Sequence, residues 1–132
     1  SVDAGKFWQQ ITTPISKDFP SVFGFAVAVD PANPLRAWFA PAIKDEKRYP
    51  VNGKLVVTRT DDGGKTFKAF DKGLPQTDAY DLVYRHGLAV APNGQDLAMA
   101  STTGSLWVSG DAGESWETVS QNLPPVAVVK FV

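Results

Sequence analysis

The sequence predicts an all-β fold made of β-propeller blades, each a sheet of four short antiparallel strands. Three observations lead to this prediction. A box of eight residues with the pattern Ser/Thr-x-Asp-x-Gly-x-x-aromatic occurs three times, beginning at Ser1, Thr60 and Ser109. Paired apolar runs separated by turn residues lie between the boxes, and no segment shows convincing helical periodicity. Repeats of four strands every 40 to 50 residues or so are typical of propeller blades.

The individual strands follow from this repeat in order. In the first complete blade, strands A to D are predicted at residues 22–29, 36–42, 54–59 and 66–70. In the second blade they are predicted at residues 82–90, 96–101, 105–109 and 115–119. Asn93-Gly94 favours a tight hairpin between strands A and B of the second blade, because both residues accept positive φ. Residues 8–12 align with a strand D and residues 126–132 with a strand A.

The repeat therefore divides the chain into parts of a partial propeller. Residues 1–13 end a preceding blade, residues 22–75 and 78–124 form two blades, and residues 126–132 form the innermost strand of another. Propellers typically have about four to eight blades. Because the only methionine is Met99, we expect that Ser1 is not a translational start. We also expect N-terminal blades outside this chain, or association with copies of it.

Each box is expected to form the turn between strands C and D. The aspartate accepts hydrogen bonds from turn N–H groups, and the glycine adopts a backbone conformation that side chains disfavour. The box residues are Ser1, Asp3, Gly5 and Trp8, then Thr60, Asp62, Gly64 and Phe67, then Ser109, Asp111, Gly113 and Trp116. The aromatic residue of each box is expected to pack between blades. One aspartate per box is too few ligands for calcium, so no metal site is predicted.

The three boxes resemble the Asp-box, or BNR repeat, of sialidase-like propellers. Residues 42–50, 80–86, 101–106 and 122–126 are further similar to one bacterial BNR-repeat family, labelled sialidase-like or glycosyl hydrolase. The resemblance covers nearly the whole chain and implies that it corresponds to the C-terminal blades of a longer protein. It implies a scaffold that binds a ligand or a protein, with a sialidase-like glycoside hydrolase as the alternative.

Antiparallel strand order places the A–B and C–D turns at one end of each blade, called here the lower end. The B–C and D–A connections lie at the upper end, where the B–C loop of the first blade is long and charged. It contains Lys44, Asp45, Glu46, Arg48 and Tyr49. Asp45 or Glu46 could act as an acid or base, and Arg48 could bind an anion. The alternative is a solvated loop with weak surface ion pairs.

Residues 80–87 form the second unusual segment at the upper end. Strand alternation predicts Leu82, Tyr84 and His86 on one face, and Asp81, Val83 and Arg85 on the other. His86 is a candidate base, acid or ligand donor, and Tyr84 and Arg85 are candidate ligand-binding residues. The alternative is a hydrogen-bonded plug between blades. No catalytic set can be assigned, because the four arginines do not form the triad that sialidases use.

The amino-acid composition excludes several kinds of site and partner. The net charge is −1, with no cysteine and one histidine, which excludes disulfides, thiol catalysis and multi-histidine metal sites within the chain. We expect no cofactor, and the charge balance gives no reason to expect a nucleic-acid partner. No apolar run is long enough to span a membrane and no signal segment is present, so a soluble, cytoplasmic protein is expected. The candidate partners are carbohydrate and another protein.

Overall fold

The computed structural model describes residues 4–8 and 23–132, and within them it contains two four-stranded antiparallel sheets and no α-helix. The first sheet consists of β1 (Gly24–Val29), β2 (Ala37–Pro41), β3 (Val57–Thr60) and β4 (Lys68–Phe70). The second consists of β5 (Leu88–Val90), β6 (Leu97–Ala100), β7 (Leu106–Ser109) and β8 (Glu117–Ser120). In each sheet the strands follow chain order. The predicted all-β fold with four-stranded blades is confirmed. The predicted strand over residues 8–12 lies outside the described residues, apart from Trp8.

Strand alternation explains why the core forms between the two sheets. In β1, Ala26 and Ala28 are buried while Val27 and Val29 are exposed, as the two-residue period of a strand requires. Both sheets contribute to one apolar cluster, whose largest members are Trp38, Leu97, Met99, Trp107 and Trp116. The two blades therefore share a single core.

Equivalent positions in the two sheets can be matched through the first residue of each box. Thr60 pairs with Ala37 in the first sheet, and Ser109 pairs with Leu97 in the second. One residue further along, a row of side chains crosses each sheet. The first-sheet row is Ala28, Trp38, Arg59 and Lys68, and the second-sheet row is Ala89, Ala98, Val108 and Glu117.

The expected first strand of the second blade is wrong in its first half. The strand begins only at Leu88, because the Gly87 N–H donates to the Tyr84 carbonyl at 2.8 Å and makes a turn there. The alternation predicted for residues 81–86 is consequently wrong as well. Val83 is buried, whereas Tyr84, Arg85 and His86 are all exposed.

Residues 126–132 lie beside the start of the second sheet. His86 and Val128 form an isolated parallel bridge, and the Val129 N–H donates to the His86 carbonyl at 2.8 Å. The described residues form no ladder along this segment. Its assignment as the innermost strand of another blade stays a prediction.

Backbone hydrogen bonds join neighbouring connections at each end of the sheets. At the lower end, the Gly63 N–H donates to Leu35 and the Ala112 N–H to Gln95, both at 2.9 Å. At the upper end, the Ala79 N–H donates to Gly53 at 2.9 Å. The lower-end bonds thus join the two turns of each sheet, and the upper-end bond joins the connection between the sheets to the loop before β3. In the part of the chain that the structure describes, no helix is long and apolar enough to cross a membrane.

Candidate functional site

The charged upper loop folds as a tight hairpin with Asp45 and Glu46 at its tip. The Ile43 N–H donates to the Tyr49 carbonyl at 3.1 Å, and the Lys47 N–H donates to the Lys44 carbonyl at 3.0 Å. Pro50 is buried beneath it. The hairpin is therefore held by its own backbone.

Ion pairs within the hairpin engage its charged groups. Arg48 Nη2 lies 2.8 Å from Asp45 Oδ1, and Arg48 Nε donates to the Asp45 carbonyl at 2.8 Å. Lys44 Nζ lies 3.4 Å from Glu46 Oε2. These pairs are exposed, so each is worth at most about 1 kcal/mol. The Arg48 guanidinium also lies 5.2 Å from the centre of the Phe25 ring.

The three tyrosines of the sequence all lie at the upper end, and all are exposed. The rings of Tyr49 and Tyr80 are 6.2 Å apart at 57°, which joins the hairpin to the residue 80–86 segment. Tyr49, Tyr80 and Tyr84 are 36%, 67% and 44% exposed. Contiguous exposed aromatic surface is a common mark of ligand binding.

His86 and the acidic hairpin tip are the two acid–base candidates at the upper end. No hydrogen bond or ion pair among the described residues joins the His86 side chain to Asp45 or Glu46. Arg85 likewise makes no ion pair within this part of the chain. The ring contact between Tyr49 and Tyr80 therefore connects the two candidate segments.

A polar cluster that sequence reasoning missed holds the residue 80–86 segment in place. Ser101 Oγ donates to Asp81 Oδ1 at 2.8 Å, and Thr103 Oγ1 donates to the same oxygen. The Thr102 N–H donates to the Leu82 carbonyl at 2.9 Å. The run of small hydroxyl residues at positions 101–103, followed by Gly104, was the available sequence signal.

At the lower end, the two described aspartate-centred turns have the predicted bonding. Thr60 Oγ1 donates to Asp62 Oδ1 at 2.9 Å, and the Thr66 N–H donates to the same oxygen at 2.9 Å. Ser109 and Ser115 repeat these bonds around Asp111, at 2.8 and 2.9 Å. The carboxylates act as hydrogen-bond acceptors that close the turns.

The same bonds lower the pKa of both carboxyls. For Asp62, the N–H and hydroxyl of Thr66 bring the pKa to about 2, with smaller contributions from Thr60 and Lys65. For Asp111, burial raises the pKa, but hydrogen bonds from the Ser115 hydroxyl and N–H and from Ser109 outweigh it. The net pKa is lowered, so both groups stabilise the turns as carboxylates.

Two consecutive residues in each turn have left-handed backbone conformations. Gly5, Gly64 and Gly113 have φ values of 86°, 88° and 83°, as their place in the box predicts. The preceding residues are left-handed too, although two of them are alanines. These are Ala4, Gly63 and Ala112, with φ values of 57°, 72° and 59°. The sequence signal for this second position was the glycine at 63.

The aromatic residues of the three turns differ in burial. Trp116 is 4% exposed and donates its indole N–H to the Gly113 carbonyl at 3.1 Å. Trp8 makes the equivalent bond to Gly5 at 3.0 Å yet is 80% exposed. Phe67 is half-buried, against the Phe39 ring. Packing between blades is therefore found for Trp116 and not for Trp8.

Two side chains of the first sheet donate hydrogen bonds to one carbonyl of the Asp111 turn, that of Ala112. Trp38 Nε1 donates to Ala112 O at 2.7 Å, and Arg59 Nη1 donates to the same oxygen at 2.9 Å. Arg59 Nη2 also bonds Glu114 Oε1 at 3.0 Å. These contacts join the two blades at the lower end.

Arg36, the other arginine at the lower end, also forms an ion pair. Arg36 Nε lies 2.7 Å from Asp61 Oδ1, and Arg59 Nε lies 3.1 Å from Asp61 Oδ2. Burial raises the pKa of Asp61, but the hydrogen bonds and charges of the two arginines outweigh it, so its pKa is lowered. Both arginines therefore have structural partners far from the upper loops.

No group of three or more histidine or acidic residues that could hold a metal ion is found within the described ranges.

Comparison with known proteins supports the fold. No protein-family profile and no curated protein matches the chain. The crystal structure of the GH74 xyloglucanase from Xanthomonas campestris is similar over 69% of this chain, with 30% identity and a TM-score of 0.52. That of the GH74 enzyme from Niastella koreensis is similar over 76%, with 22% identity and a TM-score of 0.54.

Both solved structures are GH74 glycoside hydrolases, and the likeness to them supports the propeller-type fold of this chain. The chain spans 13% of the length of the first and 15% of the second.

Proposed function

We propose that this chain is a carbohydrate-binding segment of a BNR-repeat β-propeller, with its ligand held at the upper end by Tyr49, Tyr80 and Tyr84. The observation that carries the proposal is that every tyrosine of the sequence is exposed at this end. On this proposal, residues 22–75 and 78–124 are two blades, and residues 1–13 and 126–132 belong to neighbouring blades.

The chemistry of the three side chains suits a sugar. One face of a pyranose ring is lined by C–H groups, which stack on an aromatic ring, while a tyrosine hydroxyl reaches the sugar hydroxyls. The hairpin adds hydrogen-bonding groups beside Tyr49, with Arg48 as a donor and Glu46 as an acceptor. A ligand that covers Tyr80 removes water from a ring that is 67% exposed. Burying that apolar surface favours binding.

A glycoside hydrolase is the second candidate, because the xyloglucanase is 30% identical over 69% of this chain. Glycoside hydrolysis generally needs two carboxyl groups on opposite sides of the scissile bond. Asp45 and Glu46 sit together at one hairpin tip and could supply one of them, with His86 as a further acid–base candidate. The sialidase-like form of this activity would also need a carboxylate-binding site for its substrate.

Calorimetric titration with xyloglucan oligosaccharides tests the binding proposal. We expect Tyr80→Ala and Tyr49→Ala each to weaken binding by about threefold to tenfold, a loss of roughly 0.7–1.4 kcal/mol. Tyr80→Phe keeps the stacking ring and serves as the matched control, with affinity within about twofold of the wild type. Binding that both alanine variants leave unchanged would exclude this aromatic site.

An assay of reducing-end release from the same substrate tests the catalytic candidate. If the hairpin carries catalysis, Glu46→Gln or Asp45→Asn abolishes hydrolysis while oligosaccharide binding persists. His86→Ala tests the histidine in the same way. Hydrolysis that survives all three substitutions would assign the chemistry to other residues.

A further inference from the structure

We propose that Asn52 is a site of spontaneous deamidation, through which the upper end of the first blade acquires a negative charge as the protein ages. Two of the asparagines in the sequence, Asn52 and Asn93, are followed by glycine. Glycine has no side chain to hinder the attack of its backbone nitrogen on the preceding amide. The structure holds the two Asn-Gly pairs in different ways. That difference carries the inference, which is independent of the proposed carbohydrate site.

The reaction uses only groups of the chain and water. The Gly53 nitrogen gives up its proton and attacks Cγ of Asn52, and the bond from Cγ to Nδ2 breaks as ammonia leaves with that proton. A cyclic imide then joins the two residues. Water opens the imide either at Cγ, which gives aspartate, or at the backbone carbonyl carbon, which gives isoaspartate with the main chain running through Cγ. Either product carries a carboxylate in place of the neutral amide.

No described partner holds the Asn52 amide away from the Gly53 nitrogen. The Asn52 side chain is exposed, and it makes no hydrogen bond with any residue that the structure describes. The backbone of Asn52 is left-handed, at φ 55°, which costs roughly 1 kcal/mol and favours the local opening that the attack requires. The Gly53 N–H must leave the Pro50 carbonyl, to which it donates at 3.2 Å. A Cβ built on Gly53 would lie 3.4 Å from the Asp78 nitrogen, so the glycine is not tightly enclosed.

Asn93, in contrast, is held by three hydrogen bonds of its side chain. Its Nδ2 donates to Asp96 Oδ2 at 2.7 Å. Its Oδ1 accepts the N–H groups of Gln95 and Asp96, at 2.9 and 3.0 Å. Gly94 is buried, and a Cβ built on it would lie 2.8 Å from the carboxylate of Asp30. The amide of Asn93 must break these bonds before its Cγ can reach the Gly94 nitrogen.

Deamidation at Asn52 would alter the connection between the two candidate segments of the upper end. Asn52 follows Tyr49 by three positions, and the Gly53 carbonyl accepts the N–H of Ala79, the residue before Tyr80. Isoaspartate lengthens the main chain and so displaces this carbonyl, whereas aspartate adds charge without lengthening it. The isoaspartate product should therefore disturb the backbone between Tyr49 and Tyr80 more than the aspartate product does.

Peptide mapping by mass spectrometry, on the folded chain incubated at mildly alkaline pH, tests the site. We expect Asn52 to be converted at least about tenfold faster than Asn93, because holding bonds worth about 1 kcal/mol each slow only the second site. Labelling by an isoaspartate-specific methyltransferase should mark the peptide that contains residue 52. In concentrated urea the side-chain bonds are lost, and the two sites should react within about twofold of each other, since glycine follows both.

Asp96→Ala is the matched variant, because it removes the acceptor of the Asn93 amide. We expect it to accelerate conversion at Asn93 by about fivefold, the ratio that one hydrogen bond of about 1 kcal/mol provides, and to leave Asn52 unchanged. Asn52→Gln must close a larger ring and should remove the methyltransferase label. Equal rates at Asn52 and Asn93 in the folded chain would overturn the inference. An Asn52 that converts in urea but not in the folded chain would overturn it as well.

Discussion

The Asp62 and Asp111 turns share one sequence pattern and one internal hydrogen-bond pattern, but they differ in what surrounds them. Each aspartate accepts bonds from the hydroxyl two residues before it and from the residue four places after it. Only the Asp111 turn has the indole of Trp38 and the guanidinium of Arg59 on its carbonyl among the described residues. The comparison teaches that eight residues specify the turn, whereas its contribution to stability depends on the sheet it meets.

The largest expected effect comes from adding one methyl group to the covered turn. Gly113→Ala places a Cβ 3.1 Å from Trp38 Nε1 at a residue with φ 83°. Left-handed strain of about 1–2 kcal/mol and overpacking of a similar size should together lower the free energy of unfolding by about 3 kcal/mol. Urea denaturation followed by circular dichroism measures this loss.

Gly63→Ala is the comparison variant in the Asp62 turn, one residue before Gly64, which is the equivalent of Gly113. Its Cβ meets only the flexible Leu35 side chain at 3.3 Å, and alanine already occupies the equivalent positions 4 and 112. We expect a loss of about 1 kcal/mol. Equal losses for Gly113→Ala and Gly63→Ala would show that backbone strain alone, and not the sheet contact, accounts for the effect.

Removing the shared guanidinium should have the next largest effect. Arg59→Met breaks the bonds to the Ala112 carbonyl and Glu114 and leaves Asp61 with one cation. Because Arg59 is buried, we expect a loss of about 2–3 kcal/mol in unfolding free energy. Arg36→Met removes the accessible pair with Asp61 and a longer pair, at 3.6 Å, with the buried Asp30, so we expect a smaller loss of about 1 kcal/mol. If the two variants lose equal stability, the hydrogen bond from Arg59 to the Ala112 carbonyl is not what stabilises the contact between the blades.

The smallest expected effect is the loss of unfolding free energy at acidic pH. The pKa of Asp62 is about 2 in the folded chain, against about 3.8 for a free side chain, and that of Asp111 is also lowered. A lowered folded pKa contributes stability that is present above the unfolded pKa and is lost as pH falls through the folded one. Unfolding free energy should therefore decline between about pH 4 and pH 2.

Thermal unfolding across that pH range measures the effect. Asp62→Asn and Asp111→Asn should each flatten the decline, because the amide keeps one acceptor oxygen and does not titrate there. An unaltered slope in both turn variants would contradict the role of these carboxylates as acceptors.

Much of the fold could be predicted because the determinants are local. The Asp-Gly spacing of the boxes predicted two turns, and apolar alternation located seven of the eight strands to within about three residues. The strand over residues 82–90 failed because a single bond from Gly87 to Tyr84 bends the chain, which no periodicity reveals.

The candidate site was less predictable, because it depends on contacts between distant residues. The hairpin tip and the residue 80–86 segment were both identified, but the ring contact between Tyr49 and Tyr80 is 31 positions apart in sequence. The bond between Asp81 and Ser101 spans 20 positions. Neither spacing follows a strand or helix period, so sequence pattern could not pair them.

The carbonyl of Ala112 has a consequence for folding. Strands within each sheet pair only with their chain neighbours, so the strand pairing of each blade is local, although the two sheets share one core. The two donors on that one oxygen come from the other blade, which couples the two units as nearest neighbours in a linear array. Weakening this oxygen's bonds should therefore separate one cooperative transition into two, with the blades unfolding at different denaturant concentrations.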